Sequence, residues 1–146
     1  MTSEQPEPPA EPQDQMPMDP IVAEWVRLAE RDISSAEVLL EAGDIENALF
    51  LCQQAVEKAL KAHVQRQSDE PPPRIHGLVK LAHLATLWEA LGGTRQELLV
   101  ALDPYAIAGR YGVAAGAPES LPGVADLIAQ TRETVGWLLA ALRSSR

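Results

Sequence analysis

Cysteine is nearly absent from this 146-residue chain: Cys52 stands alone. A single thiol forbids an internal disulfide and fits a reducing compartment. Long apolar runs are missing too. No stretch approaches the roughly 18–20 residues needed to span a bilayer, and the first residues have neither the basic start nor the apolar core of a secretory signal. These absences predict a soluble, cytoplasmic protein without membrane contact. Positive charge is scarce, since 12 Lys and Arg against 21 Asp and Glu give a net charge of −9. A field of that sign repels polyphosphate, which excludes a broadly basic nucleic-acid coat and leaves room only for a local basic patch. Metal spacings are lacking as well: His63, His76 and His83 have no His-x-x-x-His or Cys-x-x-Cys companion. No metal and no cofactor are therefore expected.

What is present divides unevenly. The first twenty residues hold six prolines and five acids (Glu4, Glu7, Glu11, Asp14, Asp19) with no Lys or Arg. Such a composition buries too little apolar surface to offset the entropy of ordering, so residues 1–19 are read as a disordered acidic tail. The remainder, 20–146, is long enough for one domain with a sizeable core.

In that remainder the apolar period is helical. Asp19 and Pro20 form a cap and first turn, and Ile21, Trp25, Leu28, Ile33, Ala36 and Leu40 mark a stripe that ends near Gly43. Asp44 caps a second helix running to about Gln67, with Ala48, Cys52, Ala55, Val56, Ala59, Leu60, Ala62 and Val64 on its apolar face. Two long helices joined by one short connection must lie antiparallel. SDEPPP reads as a loop, a third helix is predicted from near His76 to Leu91, and Thr94 with Glu97 proposes a capping box for a fourth. Asp103-Pro104 kinks or restarts that helix, Gly109–Glu119 reads as a loop, and Ser120 starts a last helix. No strand-like alternation appears. The expected fold is all-α: an up-and-down bundle of about five helices with a long antiparallel helical hairpin at its start.

Three groups of side chains invite chemistry. On helix two, Gln53, Gln54, Glu57, Lys58 and Lys61 form a polar block; it reads either as a solvated face supported by the Glu57–Lys61 pair or as a ligand surface with Lys58 and Lys61 as a flanking positive edge. At the start of helix three, Arg74 and His76 stand where free backbone N–H groups favour an anion, although His76 could equally serve as a cap. In PYAIAGRYG, Arg110 and Tyr111 offer a phosphate fork and a stacking ring beside permissive glycines. With aromatic residues at 4%, two tyrosines in one segment stand out. Cys52 falls on an apolar stripe and reads as a buried, inert thiol.

Taken in order, Trp25 with AERDISSAEVLLEAGD, ALFLCQQAVEKALKAHV, HGLVKLA, the spacing Tyr105-x-x-x-x-Arg110-Tyr111 and a final amphipathic helix resemble the HEPN (higher eukaryotes and prokaryotes nucleotide-binding) domain across about residues 20–143. The resemblance implies a bundle that is usually a homodimer. It also implies a binding role toward a nucleotide, RNA or a minimal nucleotidyltransferase partner, the last as the toxin side of a toxin–antitoxin pair. Catalytic members of the family are metal-independent ribonucleases that carry Arg followed four to six residues later by His. Here Arg74 precedes His76 and His83 at other spacings, Arg110 has no His after it, and Gly112 replaces the Pro of the family's Arg-Tyr-Pro motif. RNA cleavage needs a proton-transfer group beside the 2′-hydroxyl. The expectation is accordingly a non-catalytic binding module using Arg74, His76, Arg110, Tyr111, Lys58 and Lys61. The alternatives are a ribonuclease with a rearranged Arg/His pair and a dimerisation domain without ligand. Leu84, Leu87 and Leu139, lying beyond one stripe, are the apolar residues expected to bury in a two-fold interface.

Overall fold

A computed structural model describes residues 18–106 and 121–144. Six α-helices form it: α1 (Pro20–Glu41), α2 (Ile45–Arg66), α3 (Leu78–Leu84), α4 (Trp88–Leu91), α5 (Gly93–Leu102) and α6 (Leu121–Ser144), with a 3-10 turn at Asp103–Tyr105. The acidic tail up to residue 17, and with it the test of the domain boundary, lies outside the described residues, as does the loop predicted after Gly109.

The hairpin forms for the reasons its sequence gives. The Asp19 carboxylate accepts the Ile21 N–H at 2.8 Å and Pro20 occupies the first turn, where a missing N–H costs nothing. At the other end Gly43 takes φ +81°, so the Asp44 N–H reaches the Leu39 carbonyl at 2.9 Å and the Gly43 N–H reaches Leu40 at 3.0 Å. That left-handed stop turns the chain directly into α2. The first half of α1 buries the residues one position after the predicted stripe, while Ile33 and Ala36 are buried as predicted. Val22, Val26, Ala29, Ile33 and Ala36 are buried, Trp25 and Leu28 are half-buried, and Ile21 is exposed. Small side chains at Ala29 and Ala36 let α1 settle closely on the alanine-rich α2.

Between residues 76 and 91 a single helix was expected, and the structure breaks it in two. Thr86 adopts φ +61°, the Leu87 N–H bonds the Ala82 carbonyl at 2.9 Å, and the Thr86 N–H bonds His83 at 3.0 Å. This is the same left-handed stop as at Gly43, made by a residue whose branched Cβ ordinarily resists it. The predicted capping box is also absent. Gly92 is the N-cap of α5 and no side chain caps it, so Thr94 already lies inside the helix.

Side-chain bonds fix the helix directions. Arg132 pairs with Glu37 and Arg143 with Glu30, which sets α6 antiparallel to α1. His63 Nε2 lies 2.7 Å from the Leu138 carbonyl and Arg66 donates to that of Leu142 at 2.6 Å, so α6 runs parallel to α2. Asp103, at the end of α5, returns to the start of α3. Hence α1, α2, α5 and α6 alternate in direction, with α3 and α4 inserted before α5. Leu139, expected at an interface, is buried within the single chain; Leu87 packs half-buried against the core, and Leu84 is exposed.

Candidate functional site: a buried charge seam beside a cationic loop

Helix α2 is the central element, and its polar block is not a solvated face. Gln53, Glu57 and Lys61 are all buried. The burial follows from α2 being enclosed by α1 on one side and by the chain from residue 68 to α3 on another. Glu57 accepts from Lys61 Nζ at 3.0 Å, from Gln53 Nε2 at 3.3 Å and, at 3.2 Å, meets His76 Nδ1. The Lys61 ammonium also sits 5.7 Å from the centre of the Trp25 ring, a favourable cation–π placement. Gln53 Nε2 donates in addition to the His76 carbonyl at 2.9 Å, and Gln54 Nε2 donates to Gln53 Oε1 at 2.8 Å. A second pair lies along the same face, where buried Asp32 of α1 accepts from Lys58 and, at 3.0 Å, from Arg31.

Buried carboxylates keep their charge only where such partners compensate the lost water. The seam is therefore closed on itself: each ammonium of α2 is matched to a carboxylate. Lys58 and Lys61 consequently do not form the positive edge expected of them. Asp32 was missed in the sequence. The available signal was its place three residues after Ala29 and four before Ala36, on the buried face of α1.

The start of α3 is likewise occupied. The Asp103 carboxylate accepts the Leu78 N–H at 2.7 Å and also bonds the Val79 N–H. Burial pushes its carboxyl up, and these two donors pull it partly back. The free N–H groups predicted to receive an anion beside Arg74 and His76 thus already hold a carboxylate. His76 itself is 62% exposed through its side chain while touching Glu57.

Most other cations are committed. Arg27, Arg31, Arg95, Arg132 and Arg143 each pair with a carboxylate, and Arg66 binds the Leu142 carbonyl. Among the described residues, Arg74 and Lys80 are exposed and have neither kind of partner. They flank His76, and Lys80 lies on α3 with its Cβ 3.9 Å from where a Cβ on Gly77 would stand. Helical side chains lean toward the N-terminus of their helix, which carries Lys80 toward His76. Sequence reasoning selected Arg74 and His76 and missed Lys80, which carries no motif. Arg110 and Tyr111 lie outside the described residues.

Two further groups bear on chemistry. Cys52 is buried, and burial pushes its thiol up to about 12, which leaves it inert at neutral pH. The Tyr105 hydroxyl, on the 3-10 turn, is buried with no hydrogen-bond partner. Among the described residues no three His, Cys, Asp or Glu side chains gather as metal ligands, and no helix is long and apolar enough to cross a membrane.

Fold and site together define a class: an all-α bundle whose central helix carries a closed charge seam next to an exposed cationic loop. The HEPN domain family matches residues 22–141, and the chain belongs to that family. The crystal structure of an archaeal HEPN homologue is similar, with a TM-score of 0.62 at 28% identity over 83% of this chain and 97% of that one. Among curated proteins no match is found.

Proposed function

We propose that this chain is a non-catalytic HEPN-type module that binds a phosphate-bearing ligand, a nucleotide or RNA, on the face formed by Arg74, His76 and Lys80. Arg110 and Tyr111 belong to the same proposal as residues that meet the phosphate or base from the segment after the 3-10 turn. One observation carries it: in an acidic chain whose other described cations are matched to carboxylates or carbonyls, Arg74 and Lys80, on either side of His76 in the sequence, are left over. An exposed, unpaired guanidinium needs no ion pair broken before it accepts a phosphate, and it does so through a two-pronged bond. Lys58 and Lys61 act one step back, holding Asp32 and Glu57 so that α1, α2 and the His76 loop keep their register.

The test is to mix purified protein with a fluorescent decauridylate in EDTA, following anisotropy and RNA length together. Binding that weakens with salt, with a log–log slope near −0.7 per phosphate neutralised, and RNA that stays intact are the expected results. Cleavage in EDTA would instead favour a metal-independent ribonuclease. Absence of binding to decauridylate and to ATP would leave a dimerisation domain. The family also points to a homodimer and to a minimal nucleotidyltransferase as protein partner. Sedimentation should then give twice the 15.8 kDa chain mass at tens of micromolar.

A further inference from the structure

The outward face of α3 carries more than Lys80. His83, three residues on, and Leu84, four on, are exposed beside it, while Leu78, Leu81 and Ala82 are buried on the opposite side. The His83 ring lies against the ring of Trp88, with 5.2 Å between centres and 27° between planes. Among the described residues His83 makes no hydrogen bond or ion pair, so the stack is what orients its ring. One face of the imidazole rests on Trp88, and its exposure therefore belongs to the other face and the edges. Trp88 in turn packs half-buried against the core, and its carbonyl accepts from Gln96 Nε2 at 2.7 Å.

A continuous helix would not build this pair. At 3.6 residues per turn, residues five apart are directed about 140° away from each other. The left-handed residue Thr86 (φ +61°) ends α3 between them, and the Leu87 N–H bonds back to the Ala82 carbonyl at 2.9 Å, so Trp88 returns to His83. The outcome is a flat ring, oriented in advance, one helical turn from an ammonium. Residues three apart on a helix have Cβ atoms about 5–6 Å from each other. A phosphate at Lys80 and a base at His83 therefore fall within the reach of one nucleotide. Leu84 adds an exposed apolar side chain to the same face, which offers contact to a base and nothing to a phosphate.

We infer that the outer face of His83, backed by Trp88, is a stacking platform for one unstacked base of a single-stranded oligonucleotide or free nucleotide. Every base has a π-face, so such a platform tolerates any sequence. A double helix already stacks both faces of its internal bases, which makes a single strand the fitting ligand. The inference deepens the proposed phosphate-binding role of Arg74, His76 and Lys80 and rests on it for the oligonucleotide, but stacking itself is observed without any phosphate. Salt separates the two contributions: phosphate contacts weaken as counterions compete, whereas stacking releases none.

In the first arm adenosine, which carries no phosphate, is titrated into the full chain while the ring-proton signals of the histidines are followed. Those of His83 should move upfield under the ring current of a stacked base, and those of buried His63 should stay in place. Unmoved His83 signals would overturn the platform. So would signals that move with protein concentration instead, because a second copy of the chain would then cover this face. In the second arm decauridylate affinity and melting are measured for wild type, His83→Leu and His83→Phe. His83→Leu should bind about tenfold more weakly at low and high salt alike, with an unchanged salt slope, and His83→Phe, which keeps a flat ring, should stay within about threefold of wild type. An abasic ribose-phosphate chain of the same length should bind wild type and His83→Leu equally. Where wild type binds decauridylate, an equal affinity for His83→Leu would overturn the inference, and an earlier melt beside it would assign the ring pair to the α3–α4 corner alone. If no protein binds decauridylate or the abasic chain while adenosine still moves the His83 signals, the phosphate-binding reading fails and the platform stands.

Discussion

The Asp103 carboxylate and the Leu78 backbone N–H, 25 residues apart in sequence, meet at 2.7 Å. This bond joins the end of α5 to the start of a seven-residue helix that has no local side-chain cap. Asp103→Ala leaves two N–H donors without an acceptor and should destabilise the fold by about 1–2 kcal/mol. Asp103→Asn retains an oxygen and should recover most of that. Urea unfolding of the two variants checks it; equal midpoints would show that water caps α3 as well as the carboxylate does.

Thr86 is exposed and holds φ +61° at the break between α3 and α4. Thr86→Gly should stabilise the protein by about 1 kcal/mol, because the left-handed stop favours a residue without Cβ. A lower thermal midpoint in the glycine variant would contradict the strain assigned here.

His63 is buried with Nε2 at the Leu138 carbonyl. Burial holds its imidazole below the ordinary 6.5; the Leu138 carbonyl partly opposes this and Arg66 adds to it. Between the ordinary and the depressed value the unfolded chain binds the proton and the folded one does not, so stability rises with pH across that window. Wild type should lose stability as pH falls below about 6.5, and His63→Gln should show a flatter dependence. Urea midpoints at both ends of the window, compared between the two proteins, decide it.

The fold was legible wherever local chemistry and period agreed. Asp19, Pro20, Gly43 and Asp44 mark the hairpin because each satisfies the backbone within a few residues. The break at Thr86 was not legible, since threonine gives no stop signal and the bond made beside it, from Gln67 Nε2 to the Ala85 carbonyl at 3.1 Å, joins residues 18 apart. The charge seam was hidden for a similar reason. Glu57 and Lys61 at i, i+4 look the same on a solvated face and on a buried one, and it is α1 together with the chain returning from residue 68 that encloses them. Asp103 could not be seen as the cap of α3 from any local pattern. Arg74 and His76 were visible by position. Lys80 became notable only once every other described Lys and Arg except Arg74 had been matched to a partner.

Arg110 should matter to binding more than to folding. If its guanidinium forks onto a phosphate, Arg110→Ala should weaken decauridylate binding by about 2 kcal/mol with an unchanged melting temperature, and Arg110→Lys should restore only part. An earlier melt with unchanged affinity would assign Arg110 to the fold instead.

The most direct test of the cationic face is one variant, Arg74→Ala with Lys80→Ala, measured for both melting and decauridylate affinity. Both side chains are exposed and free of ion pairs, so the melting temperature should stay within about a degree, as for surface changes generally. Affinity at low salt should fall at least about tenfold, and the salt slope should become shallower by about 1.4, two contacts at 0.7 each. Unchanged affinity and slope, with the protein folded, would contradict the assignment of the ligand site to this face.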